Sequence, residues 1–369
     1  MKELRDILDA LAEAQRRGEP TALGTVIRVR GSTYRREGAR LLIRADGRTV
    51  GSVSGGCLEG DIAEIARDVL ATGRPRLAQY DLTSDDDAVW GLGLGCNGAI
   101  DVFIEPVTGD LPARLRRAID ERRTLALVTL IAGPEKLRPG ARLYLSEDGV
   151  PEGSLGDPAL DAQAVAAART RLDARRSAVV TLAGPGGNAE VFVEVLSPPL
   201  PLLICGAGHD VIPLVRLAHE LGWWVMVADS RPAYATRDRF PGSDEVVLTD
   251  DADVPRKVRI DRQTFVVVMT HNFLHDLTLL RGLLTTPARY IGLLGPRART
   301  DRLLADLARA GVTVDDGQRA RLFAPVGVDL GADSPEEIAL SVLAEILALH
   351  NGRSVASLRE RGGPIHARV

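Results

Sequence analysis

The first half of the chain carries one module twice, and only the first copy contains cysteine. Residues 40–70 (RLLIRADGRTVGSVSGGCLEGDIAEIARDVL) lie without a gap over residues 142–172. Arg40-Leu41 then meets Arg142-Leu143, Gly51-Ser52 meets Gly153-Ser154, and Leu58-Glu59 meets Leu160-Asp161. A second block, GCNGAIDVFIE at 95–105, lies over GPGGNAEVFVE at 184–194, the segment ahead of it being shorter in the second copy. Cys57 falls opposite Ala159 and Cys96 opposite Pro185. A scaffold that survives without the thiols and without the Gly55-Gly56 pair needs neither, so any chemistry sits in the first copy.

The 369 residues suffice for two or three domains, each with its own core. With 46 basic against 50 acidic side chains the net charge is −4, which leaves no basic excess to hold a polyanion and argues against a nucleic-acid partner. Leu4, Ile7, Leu8 and Leu11 recur at helical spacing among charges, the pattern of an amphipathic helix and not of an export signal. No apolar run approaches the roughly 18–20 residues of a membrane span. An odd number of cysteines in a chain without an export signal predicts a cytoplasmic protein with free thiols.

Each copy reads as strand, turn, hairpin, glycine loop, helix and closing strands. In copy one the elements are a strand at 21–30, a hairpin pivoting on Asp46-Gly47, a helix ending near Gly73, and strands near 77–82 and 101–107. The copies cover about 21–107 and 124–197 of a domain spanning 1–197. Ser197-Pro198-Pro199-Leu200-Pro201 marks the boundary, since consecutive prolines continue neither neighbouring element. From 200 to 350 short apolar runs alternate with helical segments, and 351–369 reads as a tail. The predicted fold is α/β: an N-terminal α+β domain built on a degenerate internal repeat, then a Rossmann-like, doubly wound parallel sheet. The final helix opens at Ser334-Pro335-Glu336-Glu337, an N-cap serine with glutamate at N3.

Three stretches are candidate sites. Ser54-Gly55-Gly56-Cys57-Leu58-Glu59 sets a thiol at the start of a helix, where unsatisfied N–H groups and the helix dipole favour a thiolate or an anionic ligand. Gly95-Cys96-Asn97-Gly98 sets a second thiol in a glycine-bordered turn, and the two loops can converge on one pocket. Gly206-Ala207-Gly208-His209-Asp210-Val211 follows an apolar strand, and Asp229 ends the next strand about 20 residues on, the position of the acid that reads a ribose hydroxyl in a dinucleotide fold. Val211 stands where a third glycine belongs. Cys205, inside an apolar strand, reads as core. Arg35, Arg36 and Arg40 surround the turn at Gly38 and can meet a phosphate, while His271 ends the fourth apolar strand and His275 with Asp276 lies one turn on, without a third ligand at metal spacing.

Taken together these residues resemble the XdhC/CoxI family. The matching stretches are GSTYRREGARLLIRADG, VGSVSGGCLEGDI, GLGLGCNGAIDVFIEP, ICGAGHD, VADSRPAYATRDRFPGSDEVV, VVVMTHNFLHD, YIGLLGPRART and PVGVDLGADSPEEIALSVLAEI, in family order over nearly the whole chain. The resemblance implies a molybdenum cofactor chaperone, a xanthine dehydrogenase accessory factor that protects the cofactor. Such a factor lets a cysteine desulfurase replace a terminal oxo ligand by sulfur, and delivers the product to a xanthine dehydrogenase-type molybdoenzyme. It implies a cytoplasmic homodimer that carries molybdopterin without turning it over. Carried over by position, Ser54 to Glu59 and Gly95 to Gly98 hold the cofactor, Asn97 standing where the family commonly has glycine. Gly206, Gly208 and Asp229 are the residues toward NAD(P) in the C-terminal domain. Two other readings remain: an NAD(P)-dependent oxidoreductase with His271 as proton donor, and a thiol redox sensor at Cys57.

Overall fold

The computed structural model describes residues 1–31, 33–81, 98–147, 149–184 and 186–360. Two compact units result, Glu3–Pro198 and Pro199–Val369, the latter including Met1–Lys2.

In the first unit α1 (Lys2–Arg16) buries Leu4, Ile7, Leu8 and Leu11, the stripe read from the sequence. Copy one follows as β1 (Thr21–Gly31), β2 (Arg40–Arg44), β3 (Thr49–Gly51), α2 (Glu59–Thr72), β4 (Arg76–Asp81) and β5 (Gly98–Pro106). A linking helix, α3 (Leu111–Asp120), leads into β6 (Leu125–Ala132), β7 (Arg142–Ser146), β8 (Glu152–Ser154), α4 (Pro158–Ala174), β9 (Ala178–Gly184) and β10 (Gly187–Leu196). The two antiparallel sheets have the orders β3-β2-β1-β5-β4 and β8-β7-β6-β10-β9, so the sequence duplication is a duplication of topology. Strand alternation gives each sheet two apolar faces. One face packs on its own helix: Val26, Ile43 and Val102 with Ile62 and Val69 of α2, and Val128, Leu145 and Val193 with Leu160 and Ala168 of α4.

The other faces meet one another through Ile27, Phe103, Ile131 and Phe192, and the space left between them is only about 10 Å³. At this seam each copy's arginine takes the other copy's glutamate. Arg40 donates to Glu194 at 2.5 Å with both side chains at most 5% exposed, and Arg142 pairs with Glu105. Arg40 and Arg142 are equivalent in the repeat, as are Glu105 and Glu194, so the two pairs are one contact made twice. Burial pushes the Glu105 carboxyl up, against the pull of Arg142 and Arg40. The expectation that Arg40 meets a phosphate is therefore corrected: a buried arginine needs a buried anion, and the protein supplies it. Arg35 is tied to Glu3 at 2.5 Å, and Arg36 is likewise engaged.

The second unit holds a six-stranded parallel sheet of β11 (Pro201–Cys205), β12 (Trp224–Asp229), β13 (Glu245–Leu248), β14 (Phe265–Val268), β15 (Tyr290–Leu293) and β16 (Leu322–Phe323) in the order β13-β12-β11-β14-β15-β16. Alternate residues feed opposite cores. Leu202, Ile204, Val225, Val227, Phe265 and Val267 pack toward α5 (Val211–Glu220) and α8 (Pro335–His350). Leu203, Cys205, Met226, Ala228, Val266 and Val268 pack toward α6 (Phe273–Leu283) and α7 (Arg297–Arg309). This is the doubly wound Rossmann-like sheet, and order reverses between β11 and β14. Cys205 is a core residue, 1% exposed, and burial pushes its thiol far up. The capping box at Ser334 and Glu337 forms as the sequence predicts. Two-residue β16 escaped the sequence reading because it is too short to show a period.

Candidate functional site

At one end of the first sheet several segments of copy one converge. β1 runs past β2, whose first residue, Arg40, lies opposite Thr25. Gly31 at the far end of β1 pairs with Gly98, the first residue of β5. β4 reaches the same end, Asp81 facing Ala99, and β3 runs toward it before the 52–58 loop leaves at Gly51. Val53 and Leu58 on either side of the glycine pair, Val29 of β1 and Ile100 of β5 belong to one core. The glycine loop and the entry to β5 are thus brought together. Gly95, Cys96 and Asn97 lie outside the described residues, and Gly98 is buried in the strand.

The loop is shaped from within by Glu59, the first residue of α2. Its Oε1 accepts from Ser52 Oγ at 2.8 Å, Val53 N–H at 3.0 Å and Ser54 N–H at 2.9 Å. Its Oε2 accepts from Gly56 N–H at 2.9 Å, Leu58 N–H at 3.2 Å and the Ser54 hydroxyl. Partial burial pushes this carboxyl up, but the donors of Ser54 and Ser52 prevail and hold it at about 2. The sequence reading placed Glu59 and the helix-start N–H groups on a ligand. Glu59 is itself the anion that the loop N–H groups of Val53, Ser54, Gly56 and Leu58 hold, so its carboxylate positions the loop. Ser54 closes the turn further by accepting from Leu58 N–H at 2.8 Å.

Gly55 and Gly56 have φ of +82° and +118°, conformations open to glycine at little cost. A Cβ on Gly55 would stand 3.0 Å from the ring of Tyr34, a side chain that is 70% exposed. The loop therefore sets Gly55 against the exposed Tyr34 ring and carries Cys57, itself exposed, two residues further on. Sequence reasoning missed Tyr34, whose signal was its place directly after the Ser32-Thr33 turn. It also missed Arg28 and Arg30, which hold the fully buried Asp101 at 2.8 and 3.0 Å, three residues beyond Gly98.

In the Rossmann-like unit Gly206 has φ +118°, and a Cβ there would come within 2.5 Å of the Met269 carbonyl oxygen, so the turn after β11 requires glycine. Asp229 ends β12 as expected, but its carboxylate is filled: Oδ2 accepts from Ala207 N–H at 2.7 Å and from the Arg231 guanidinium at 2.7 Å. Oδ1 accepts from Arg231 N–H at 2.8 Å and Nε at 2.9 Å. Burial pushes this carboxyl up, yet the Arg231 hydrogen bonds outweigh it and hold the group below the ordinary carboxylate range. A Cβ on Gly208 would meet Asp210 Oδ1 at 2.4 Å, and the other oxygen of Asp210 lies 2.7 Å from His271 Nε2 across the point where strand order reverses. His271 has φ +59°, an uncommon conformation for a side-chain-bearing residue. His275 Nδ1 sits 2.5 Å from Asp251, whose carboxyl is raised by burial against the pull of His275. Among the described residues no three His, Cys, Asp or Glu side chains gather as a metal site, and no helix is long and apolar enough to cross a membrane.

The model of the XdhC and CoxI family matches residues 14–81 and 118–183, and that of the XdhC Rossmann domain matches 202–346. A protein of Bacillus subtilis named as a probable xanthine dehydrogenase subunit is 33% identical over 94% of this chain and 97% of its own length. The molybdenum cofactor insertion chaperone PaoD of Escherichia coli is 25% identical over 94% of this chain and 88% of its own. A crystal structure described as a xanthine dehydrogenase from Bacillus halodurans superposes with a TM-score of 0.74 at 35% identity, covering 97% of this chain and 98% of that one.

Proposed function

Because the chain belongs to the XdhC and CoxI family, we propose that it is a molybdenum cofactor carrier, a maturation factor for a xanthine dehydrogenase-type molybdoenzyme. It holds the cofactor at the open edge of the first copy, protects it while a cysteine desulfurase exchanges a terminal oxo ligand for sulfur, and releases it into the apoenzyme. The single observation behind this reading is the exposed Cys57, carried on a glycine loop that Glu59 holds in shape and that the second copy lacks. A thiolate is a soft contact for molybdenum, and the cofactor's pterin has a planar face that Tyr34 can stack on. Ser54, Gly55, Gly56 and Cys57 form the wall, near the entry to β5 at Gly98, while Glu59 acts from behind. The protein works in the cytoplasm as a homodimer and turns nothing over. Its Rossmann domain supplies a second site, for a nicotinamide dinucleotide, between the Gly206 turn and the corner after β12.

Purification from a host that makes the cofactor, followed by molybdenum and pterin analysis, tests the reading. It expects both in similar amounts per chain. A preparation that stays empty after cofactor is added contradicts it.

A further inference from the structure

The corner after β12 is built for an anion rather than a sugar. In a dinucleotide fold that reads an unmodified ribose, the acid ending the second strand accepts from the ribose 2′-hydroxyl. Here that acid is consumed. Asp229, with its side chain 5% exposed, gives both oxygens to Arg231 and to the Ala207 N–H. What reaches solvent is the Arg231 guanidinium, 47% exposed and held in a fixed orientation by the fork. Its carbon lies 4.1 Å from the centre of the Tyr234 ring. A second guanidinium, that of Arg239, lies 4.7 Å from the same ring and donates to the Ala207 carbonyl at 3.1 Å. Two cations therefore share one aromatic ring and are both anchored to the glycine turn, one through Asp229 and one through Ala207.

A bare ribose diol finds the Asp229 carboxylate already taken and meets two guanidinium groups in its place. A ribose carrying a phosphate meets the charge it needs. The glycine turn points the same way: the Asp210 carboxylate against Gly208 repels a diphosphate there, so a dinucleotide must draw its anchoring from the other end. We propose that the C-terminal domain is selective for dinucleotides with a 2′-phosphate on the adenosine ribose, NADPH and NADP⁺. Arg231 and Arg239 receive that phosphate, and Asp229 is a positioning residue that aims Arg231. The inference rests on the dinucleotide part of the reading above and is independent of the cofactor-carrier part.

Titration of the full chain by calorimetry and by NADPH fluorescence tests it, with NADPH, NADH, 2′,5′-ADP and inorganic phosphate as probes. NADPH is expected to bind at least about tenfold more tightly than NADH, since a charge-assisted fork is worth that much or more. Adenosine 2′,5′-bisphosphate should displace NADPH, and inorganic phosphate at equal concentration should not. Arg231→Ala should bring the two dinucleotides to near parity and lower the thermal midpoint, because it leaves the buried Asp229 without its counterion; Arg231→Lys, which keeps the charge, should restore part of both the preference and the midpoint, and Arg239→Ala should lower the preference independently. Equal affinities, a preference for NADH, or displacement by phosphate alone would overturn the 2′-phosphate inference while leaving a ligand site standing. Failure of both dinucleotides to bind would overturn the inference and the dinucleotide reading together. An Arg231→Ala protein that keeps its preference would remove the assigned role.

Discussion

In the second copy the loop before α4 is closed by Asp157, whose carboxylate accepts from the N–H groups of Ala159 and Leu160 at 2.9 and 3.1 Å. Pro158 follows as the first helical residue. Asp161 reaches back only to Ser154 and Leu155, and Leu137 packs 3.7 Å from the Cβ position of Gly156. The corresponding positions of the first copy read Ser54-Gly55-Gly56-Cys57, and α2 begins there without a side-chain cap. Glu59, one methylene longer than Asp161, reaches the whole loop and props it open. Sixteen residues separate β4 from β5 in the first copy, and only two separate β9 from β10 in the second. One copy has become a closed, ordinary helix entry and the other has kept an open edge. The lesson is that fold and site separate cleanly here: what the copies share holds the molecule together, and what they do not share is available for function.

The largest effect should come from the shared part. Arg40→Met or Arg142→Met leaves a buried glutamate without its counterion and should cost about 3–5 kcal/mol each by chemical denaturation, in similar amounts because the two pairs are equivalent. A large inequality would break the symmetry on which the comparison rests. Next, Glu59→Gln should cost about 1–2 kcal/mol at neutral pH, the shift of its carboxyl being discounted for solvent screening. Because the folded-state value is depressed to about 2 from 4.5, the wild-type advantage should be complete above about pH 4.5 and fade as pH falls toward 2. An advantage independent of pH would mean that the loop is held by something else. In the second copy, Asp157→Ala should cost about 1 kcal/mol, the ordinary worth of an N-cap. Smallest in energy but sharpest in contrast, brief alkylation of the native protein followed by peptide mapping should modify Cys57 and spare Cys205.

The shared part was also the legible part. Apolar alternation, the Asp46-Gly47 turn and the Ser334 capping box are local signals, and each produced the element predicted. The seam was not legible: that Arg40 faces Glu194 depends on which faces of two sheets meet, which no window of sequence contains. At Glu59 and Asp229 the sequence reading gave the carboxylates to a ligand, because no window of sequence contains the donors that reach them. In both cases the protein's own donors, a loop of N–H groups and the Arg231 fork, reached the carboxylate first.

Exchange of the loop tests the central claim most directly. A protein in which Ser54-Gly55-Gly56-Cys57 is replaced by the second copy's Gly-Asp-Pro-Ala, purified beside the wild type from a host making the cofactor, should still fold, the cap that α2 gains offsetting part of what Glu59 loses with the Ser54 hydroxyl and the Gly56 N–H. It should carry little or no molybdenum and pterin, with the wild type loaded. Full loading of the exchanged protein would show that the edge kept by the first copy is not where the cofactor sits.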